Sequence, residues 1–304
     1  MSFLSIAAGF RQRRLIKIYR LSGNKFMEFN SIFIIARQEL TVAIRNKWTL
    51  IFALVFGSLV LAISYFGTMS AGEIGFQGFN RTTASLLSLV LYLIPLVALM
   101  MGTQSFLSGG ERGDDEMLFA QPVTRGEILL GKLLGLFAAM VTATFVGFGL
   151  GGLVIATQTD ARDFLGYQVF VALSLVLSLV FLSLSMLVAV ASRRRTKAYG
   201  IALLVWFFFV IFYDLLVLGG SLLFREKTAN YFIFASLFGN PVDMVRVAGL
   251  LSLKGEEIFG AAGAALLKFL GGEFQGFAAL LVSLFIWTVA PLLISLGLMR
   301  KQDI

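Results

Sequence analysis

The chain has 304 residues and a formal charge of +8; it is 58% hydrophobic, only 14% charged, and lacks both cysteine and histidine. Ordinary soluble domains carry about 25% charged residues, so this balance describes an all-α protein that crosses a membrane several times. It excludes a disulfide framework, a thiolate or imidazole metal site and S-acylation.

Residues 1–26 contain Arg11, Arg13, Arg14, Lys17, Arg20 and Lys25 and no acid, so they supply six of the eight net charges. That placement points to a basic tail beside anionic lipid and away from nucleic acid. Its apolar patch, Phe3 to Phe10, is too short to span. The charges follow the patch, the reverse of a secretory signal. The arm is read as interfacial, as disordered, or as lying upstream of a true start at Met27. Residues 27–304 are expected to form a single transmembrane domain.

After Met27, Phe33, Ala36, Leu40 and Ile44 recur at helical spacing among Arg37, Arg45 and Lys47. This predicts a helix on the cytoplasmic interface with Trp48 as its anchor, or a plain extension of the first span. Six apolar runs follow, at about 48–68, 84–107, 131–157, 169–191, 198–223 and 274–298. Each is long enough at about 1.5 Å per residue to cross a core of roughly 30 Å.

The connection at 224–273 is long and apolar. Asn240, Pro241 and Asp243 form a helix start: a side-chain cap, a proline at the first helical position and an acid at the positive end of the dipole. That helix is expected to reach about Leu253, and a second to run from about Glu256 to Leu270 before Gly271 and Gly272. Neither is long enough to span, so both are expected to dip into the outer leaflet or cap its mouth. With both termini inside, eighteen lysines and arginines fall on the cytoplasmic side and seven outside, which satisfies the positive-inside rule for an inner-membrane protein.

The polar stretch SGGERGDDEMLFAQPVTRGEILLGK, residues 108–132, interrupts two apolar runs. It holds Glu111, Asp114, Asp115, Glu116 and Glu127 with Arg112, Arg125 and Lys132. A charge at the bilayer centre costs roughly 2.5–3.5 kcal/mol even on mild scales, so the stretch is expected as a cytoplasmic loop. Enzyme signatures are missing: the sequence has no HExxH and no GxxxxGK[ST] phosphate loop. Any ATP and Mg would therefore act through another chain, and no cofactor is expected in this one.

Asp214 is the one acid placed inside a span, so it is a candidate for a translocation path or gate, or for a structural bond, with Arg225 as a possible partner. The scattered methionines, Met69, Met100, Met101, Met140, Met186 and Met244 among them, read as packing residues more than as a soft-metal relay. Gly131, Gly135, Gly147, Gly149, Gly151 and Gly152 line the third run and suit close helix packing.

Gly110-Glu111-Arg112-Gly113, Gln121-Pro122-Val123-Thr124-Arg125 and Leu130-Gly131-Lys132 together resemble the first cytoplasmic loop of type-2 ABC transporter permeases. There an acidic Glu-x-Gly-Thr segment leads through a proline turn to Gly-Lys. Asp114 stands where that pattern has threonine, and Asp115 adds a second acid. ARQEL, IRNKW and NPVDMVR further resemble the branch of the family that serves maturation of nitrous oxide reductase.

The resemblance implies a half-transporter: two copies of the chain with two cytoplasmic ABC ATPase subunits. Glu111, Arg112, Asp114, Asp115, Met117, Phe119, Gln121, Pro122, Arg125 and Glu127 would form the ATPase-coupling loop. The branch implies a role in supplying the reductase's copper-sulfur site and a periplasmic partner protein. The alternatives are an exporter of a lipid, peptide or drug, and a non-transporting scaffold that couples an ATPase to an outer partner.

Overall fold

In a computed structural model, residues 29–71, 77–112, 123–156, 161–192, 194–252 and 265–301 are described. The basic arm, most of the second outer helix before residue 265, and the loop residues Asp114, Asp115, Met117, Phe119, Gln121 and Pro122 lie outside them. The regular elements among the described residues are all helical, as a chain in hydrocarbon requires, because its backbone must satisfy its own hydrogen bonds.

In chain order the helices are α1 (Phe29–Arg45), α2 (Lys47–Ala71), α3 (Gln77–Arg112), α4 (Arg125–Ala156), α5 (Ala161–Ser192) and α6 (Arg195–Phe207). A π-turn (Phe208–Phe212) leads into α7 (Tyr213–Ser221), followed by α8 (Glu226–Ser236), a 3-10 turn (Leu237–Gly239), α9 (Pro241–Ser252) and α10 (Glu273–Lys301). Residues 265–270 are also helical.

Among the described residues, five segments are long and apolar enough to cross a membrane: Ser88–Leu107, Arg125–Gly149, Gly166–Ser192, Arg195–Ser221 and Glu273–Lys301. The pair Phe29–Arg45 and Thr49–Ala62, bent by 68°, brings the number to six if it is one broken span.

Helix α5 is the central post. Its span is 72% buried, against 11% for the span made by α6, the π-turn and α7. The polar positions of α5 cause no penalty in this interior, because Ser174, Ser178, Ser185 and Ser192 donate back to carbonyls of their own helix and Ser183 donates to the Thr288 carbonyl of α10. Gly102 lets α3 lie against this post, since a Cβ there would stand 2.8 Å from the Ser185 Cβ. Toward the opposite end Phe56, Phe148 and Phe170 meet edge to face at 5.2–5.4 Å, and Tyr167 donates to the Phe148 carbonyl at 2.6 Å.

Helix α1 turns Ile32, Ile35 and Ala43 into the bundle and leaves Phe33 and Ile44 of its apolar stripe exposed. That face is set by glycines on α4, which no periodicity on α1 records. Two expectations need correction. The loop is shorter than the polar stretch 108–132, because α3 continues to Arg112 and α4 begins at Arg125. Finally, the connection at 224–273 holds a further helix, α8, where none was expected.

Candidate energy-coupling site

The start of α4 is built by a capping box. The Thr124 amide donates to the Glu127 carboxylate at 2.6 Å, and the Glu127 amide donates to the Thr124 hydroxyl at 3.3 Å. Two amides that a helix start would leave without partners are thereby satisfied. Glu127 is buried, so this acid of the polar stretch turns into the protein. Beside it, the Arg125 guanidinium donates to the Met299 carbonyl near the end of α10.

Two turns into α4, the Lys132 ammonium is almost fully buried. It pairs with Glu39 of α1 at 3.7 Å, donates to the Ser105 carbonyl of α3 at 3.2 Å, and lies 4.9 Å above the Phe106 ring. Arg195 donates through Nε and Nη2 to the Leu107 carbonyl at 3.2 and 3.1 Å. Asn46, between α1 and α2, donates to Gln104 at 3.1 Å. Basic side chains from α4 and α6 thus hold two carbonyls of the same turn of α3, Ser105 and Leu107, just before it leads into the polar stretch.

Helix α1 is seated on the same end. A Cβ at Gly131 would stand 2.7 Å from the Ile35 side chain, and one at Gly135 would meet the Ala36 carbonyl oxygen and the Glu39 Cβ. The GxxxG spacing therefore serves packing within one chain, against α1. Farther along α4, Gly147 receives the Phe56 ring of α2, Gly152 faces Tyr167, and Gly149 faces open space.

Of the residues assigned to a coupling loop, Arg125 and Glu127 have described side chains. Glu111 and Arg112 lie on the last turn of α3 with only their backbone described, and the remaining six fall outside the described residues.

At the other end, Asp214 pairs with Arg246 of α9 at 3.2 Å, and not with Arg225. Arg225 stands at the start of α8, beyond the far end of α7, whose first turn carries Asp214. Arg246 also pairs with Asp243 at 2.7 Å. Asn240 caps α9 by accepting from the Val242 amide at 3.0 Å, with Pro241 at the first helical position. Burial pushes the Asp243 carboxyl up to about 7 against the opposing pull of Arg246.

Among the described residues no group of three or more His, Cys, Asp or Glu side chains could hold a metal, and Met140, Met186 and Met244 are fully buried packing residues.

A family model described as "ABC-2 family transporter protein" matches residues 33–304. The chain belongs to that family. Two relatives, each named "Probable ABC transporter permease protein NosY", match over 278 residues, 90% of this chain and 99% of the relative. The one from Pseudomonas aeruginosa is 35% identical and the one from Stutzerimonas stutzeri 33%. The protein is thus an ABC-2 membrane permease related to NosY-type permeases.

In this ABC-2 permease the residues that sequence reasoning passed over are Glu39, Thr124, Arg195 and Arg246. Thr124 could have been found from the T-x-x-E spacing with Glu127. Glu39, Arg195 and Arg246 carry no local signal, because each finds its partner on another helix.

Proposed function

We propose that the stretch 108–132 faces the cytoplasm and receives force from a separate ABC ATPase, within an assembly of two copies of this chain and two ATPase subunits. One observation carries this reading: both ends of the stretch are fastened to the bundle. Lys132 and Arg195 hold the Ser105 and Leu107 carbonyls on one side, and the Thr124–Glu127 capping box starts α4 on the other. A push on residues between two fastened ends reaches α3, α4 and, through Glu39, α1 without being lost in slack. Family membership implies an ATPase partner, and the positive-inside count supplies the orientation with both termini cytoplasmic. ATP and Mg then act in the partner subunit.

The resemblance of ARQEL, IRNKW and NPVDMVR to the branch that serves nitrous oxide reductase suggests a role in maturation of its copper-sulfur site, with a periplasmic partner protein. A chain with neither cysteine nor histidine offers few soft ligands along which a copper ion could pass. Mechanical work on an outer partner, or movement of a sulfur-containing cargo, suits it better.

The test is a mild-detergent pull-down of the tagged chain, with ATPase activity measured on the recovered complex. Glu111→Lys and the double change Asp114→Lys, Asp115→Lys should lower ATPase recovery or its stimulation, because reversing charge on a docking face misorients the partner. Wild-type recovery and activity in both variants would remove the coupling assignment. Recovery of a periplasmic protein alongside the ATPase separates the maturation role from export of a lipid, peptide or drug.

A further inference from the structure

The span that begins at Arg195 is not one continuous α-helix. Residues 208–212 form a π-turn, which inserts one residue into the helical ladder and turns everything beyond it by about 100° relative to an uninterrupted α-helix. Such an insertion weakens the local hydrogen bonding, and here a side chain from outside compensates. Asn240, fully buried, donates through Nδ2 to the Phe209 carbonyl at 2.9 Å and to the Asp243 carboxylate at 2.7 Å, while its Oδ1 accepts from the Val242 amide. Every hydrogen-bonding group of this amide is used, and the set joins the π-turn to the start of α9.

A second tie returns to the span just past the π-turn. Asp243 passes to Arg246, and Arg246 to Asp214. Phe209, Asn240, Asp243, Arg246 and Asp214 therefore form a clasp that begins and ends on the same span. Tyr213 adds a third tie by donating to the Ser236 carbonyl at 2.7 Å, its hydroxyl lying where a Cβ on Gly239 would otherwise sit.

The register matters to every one of these ties. Without the inserted residue, Asp214 and Tyr213 would be carried about 100° around the axis, away from Arg246 and Ser236.

We propose that Asn240 and the Asp214–Arg246–Asp243 cluster hold the outer half of this span in a one-residue-shifted register, so that α7 and α9 move as one body and release of the clasp lets the π-turn relax to α-helix. The span is suited to such a change because so little of it is buried within the chain. The inference stands on the clasp alone and does not require the coupling assignment or any cargo.

Two measurements on the full chain in lipid nanodiscs test it. The first is hydrogen exchange of Asp214→Asn, Arg246→Gln and the double variant; both side chains are about one-third exposed, so these changes leave the core intact. Each single change should speed exchange by about tenfold in both 208–221 and 237–246, with the double no faster than the faster single. Acceleration confined to the element bearing the substitution, or effects that multiply in the double, would overturn the one-body reading.

The second uses the absence of native cysteine. Single cysteines from 211 to 218 are labelled with a thiol reagent, in the wild-type background and with Asn240→Ala. The most reactive positions should shift by one residue when Asn240 is lost. An unchanged pattern in a variant that retains its wild-type thermal transition, or loss of the folded state in Asn240→Ala together with wild-type exchange in Arg246→Gln, would overturn the register assignment.

Discussion

Gly135→Ala tests how closely α1 is keyed to the end of α4. The new methyl would meet the Ala36 carbonyl oxygen and stand 2.7 Å from the Glu39 Cβ, where ordinary contact begins at 3.4 Å. Backbone cannot rotate aside, so α1 must retreat by roughly 1 Å. Overpacking of this kind costs about 1–3 kcal/mol. The retreat also stretches the Glu39–Lys132 pair from 3.7 Å and weakens the partner of a buried cation. The gain of about 0.8–1.0 kcal/mol from replacing glycine by alanine inside a helix belongs to α4 whether α1 is seated or open, so it does not offset this cost in the opening of α1.

Gly149→Ala on the same helix isolates that gain, because nothing lies within 4 Å of its Cβ. Hydrogen exchange of Phe29–Arg45 reads the result, since α1 opens locally before the bundle does. Exchange there should accelerate by about 5- to 150-fold in Gly135→Ala, following the 1–3 kcal/mol cost, and stay at the wild-type rate in Gly149→Ala. Equal behaviour of the two variants would refute the seating of α1 on Gly135.

Removing Glu39 takes an anionic partner from a nearly buried ammonium, whereas removing Lys132 leaves a carboxylate that is 16% exposed. Glu39→Leu should therefore destabilise more than Lys132→Met, by up to about 3–5 kcal/mol in total, as read from thermal transitions in detergent. Thr124→Ala should cost about 0.5–2 kcal/mol, with Glu127→Gln adding little more on top of it because the two form one capping box; exchange at the first turn of α4 measures both. Gly272 has φ +119 and donates to the Leu267 carbonyl in a helix-ending motif after Gly271, at φ +84. Gly272→Val should lower the thermal transition, while Gly271→Asn should be tolerated, since asparagine accepts the left-handed region.

The spans were legible because each is a long apolar run, and apolar length is a property of neighbouring residues. The end of the helix at 265–270 was equally open to reading, since Gly271 and Gly272 are local signals of a C-terminus. The face of α1 was not: its apolar residues outnumber those that one face can bury, and the choice of Ile32, Ile35 and Ala43 over Phe33 and Ile44 came from the bare backbone of Gly131 and Gly135 on a distant helix. The extent of the loop escapes the sequence for a related reason. Charged residues at 108–112 and 125–132 mark the limit of lipid, but a helix continues past lipid wherever its ends are tied, here by Lys132, Arg195 and the Thr124–Glu127 box.

The sequence by itself determined the membrane class and the rough boundaries of the spans, since composition and apolar length depend on no partner. Motif resemblance carried the family from the same residues. Tertiary structure alone decided that Asp214 answers to Arg246 and not Arg225, that Lys132 is a buried junction of three helices, and that one span carries a π-turn clasped by Asn240. Each of these is a contact between residues far apart in the chain, and a buried charge or a displaced helical register is stable only when such a partner is present.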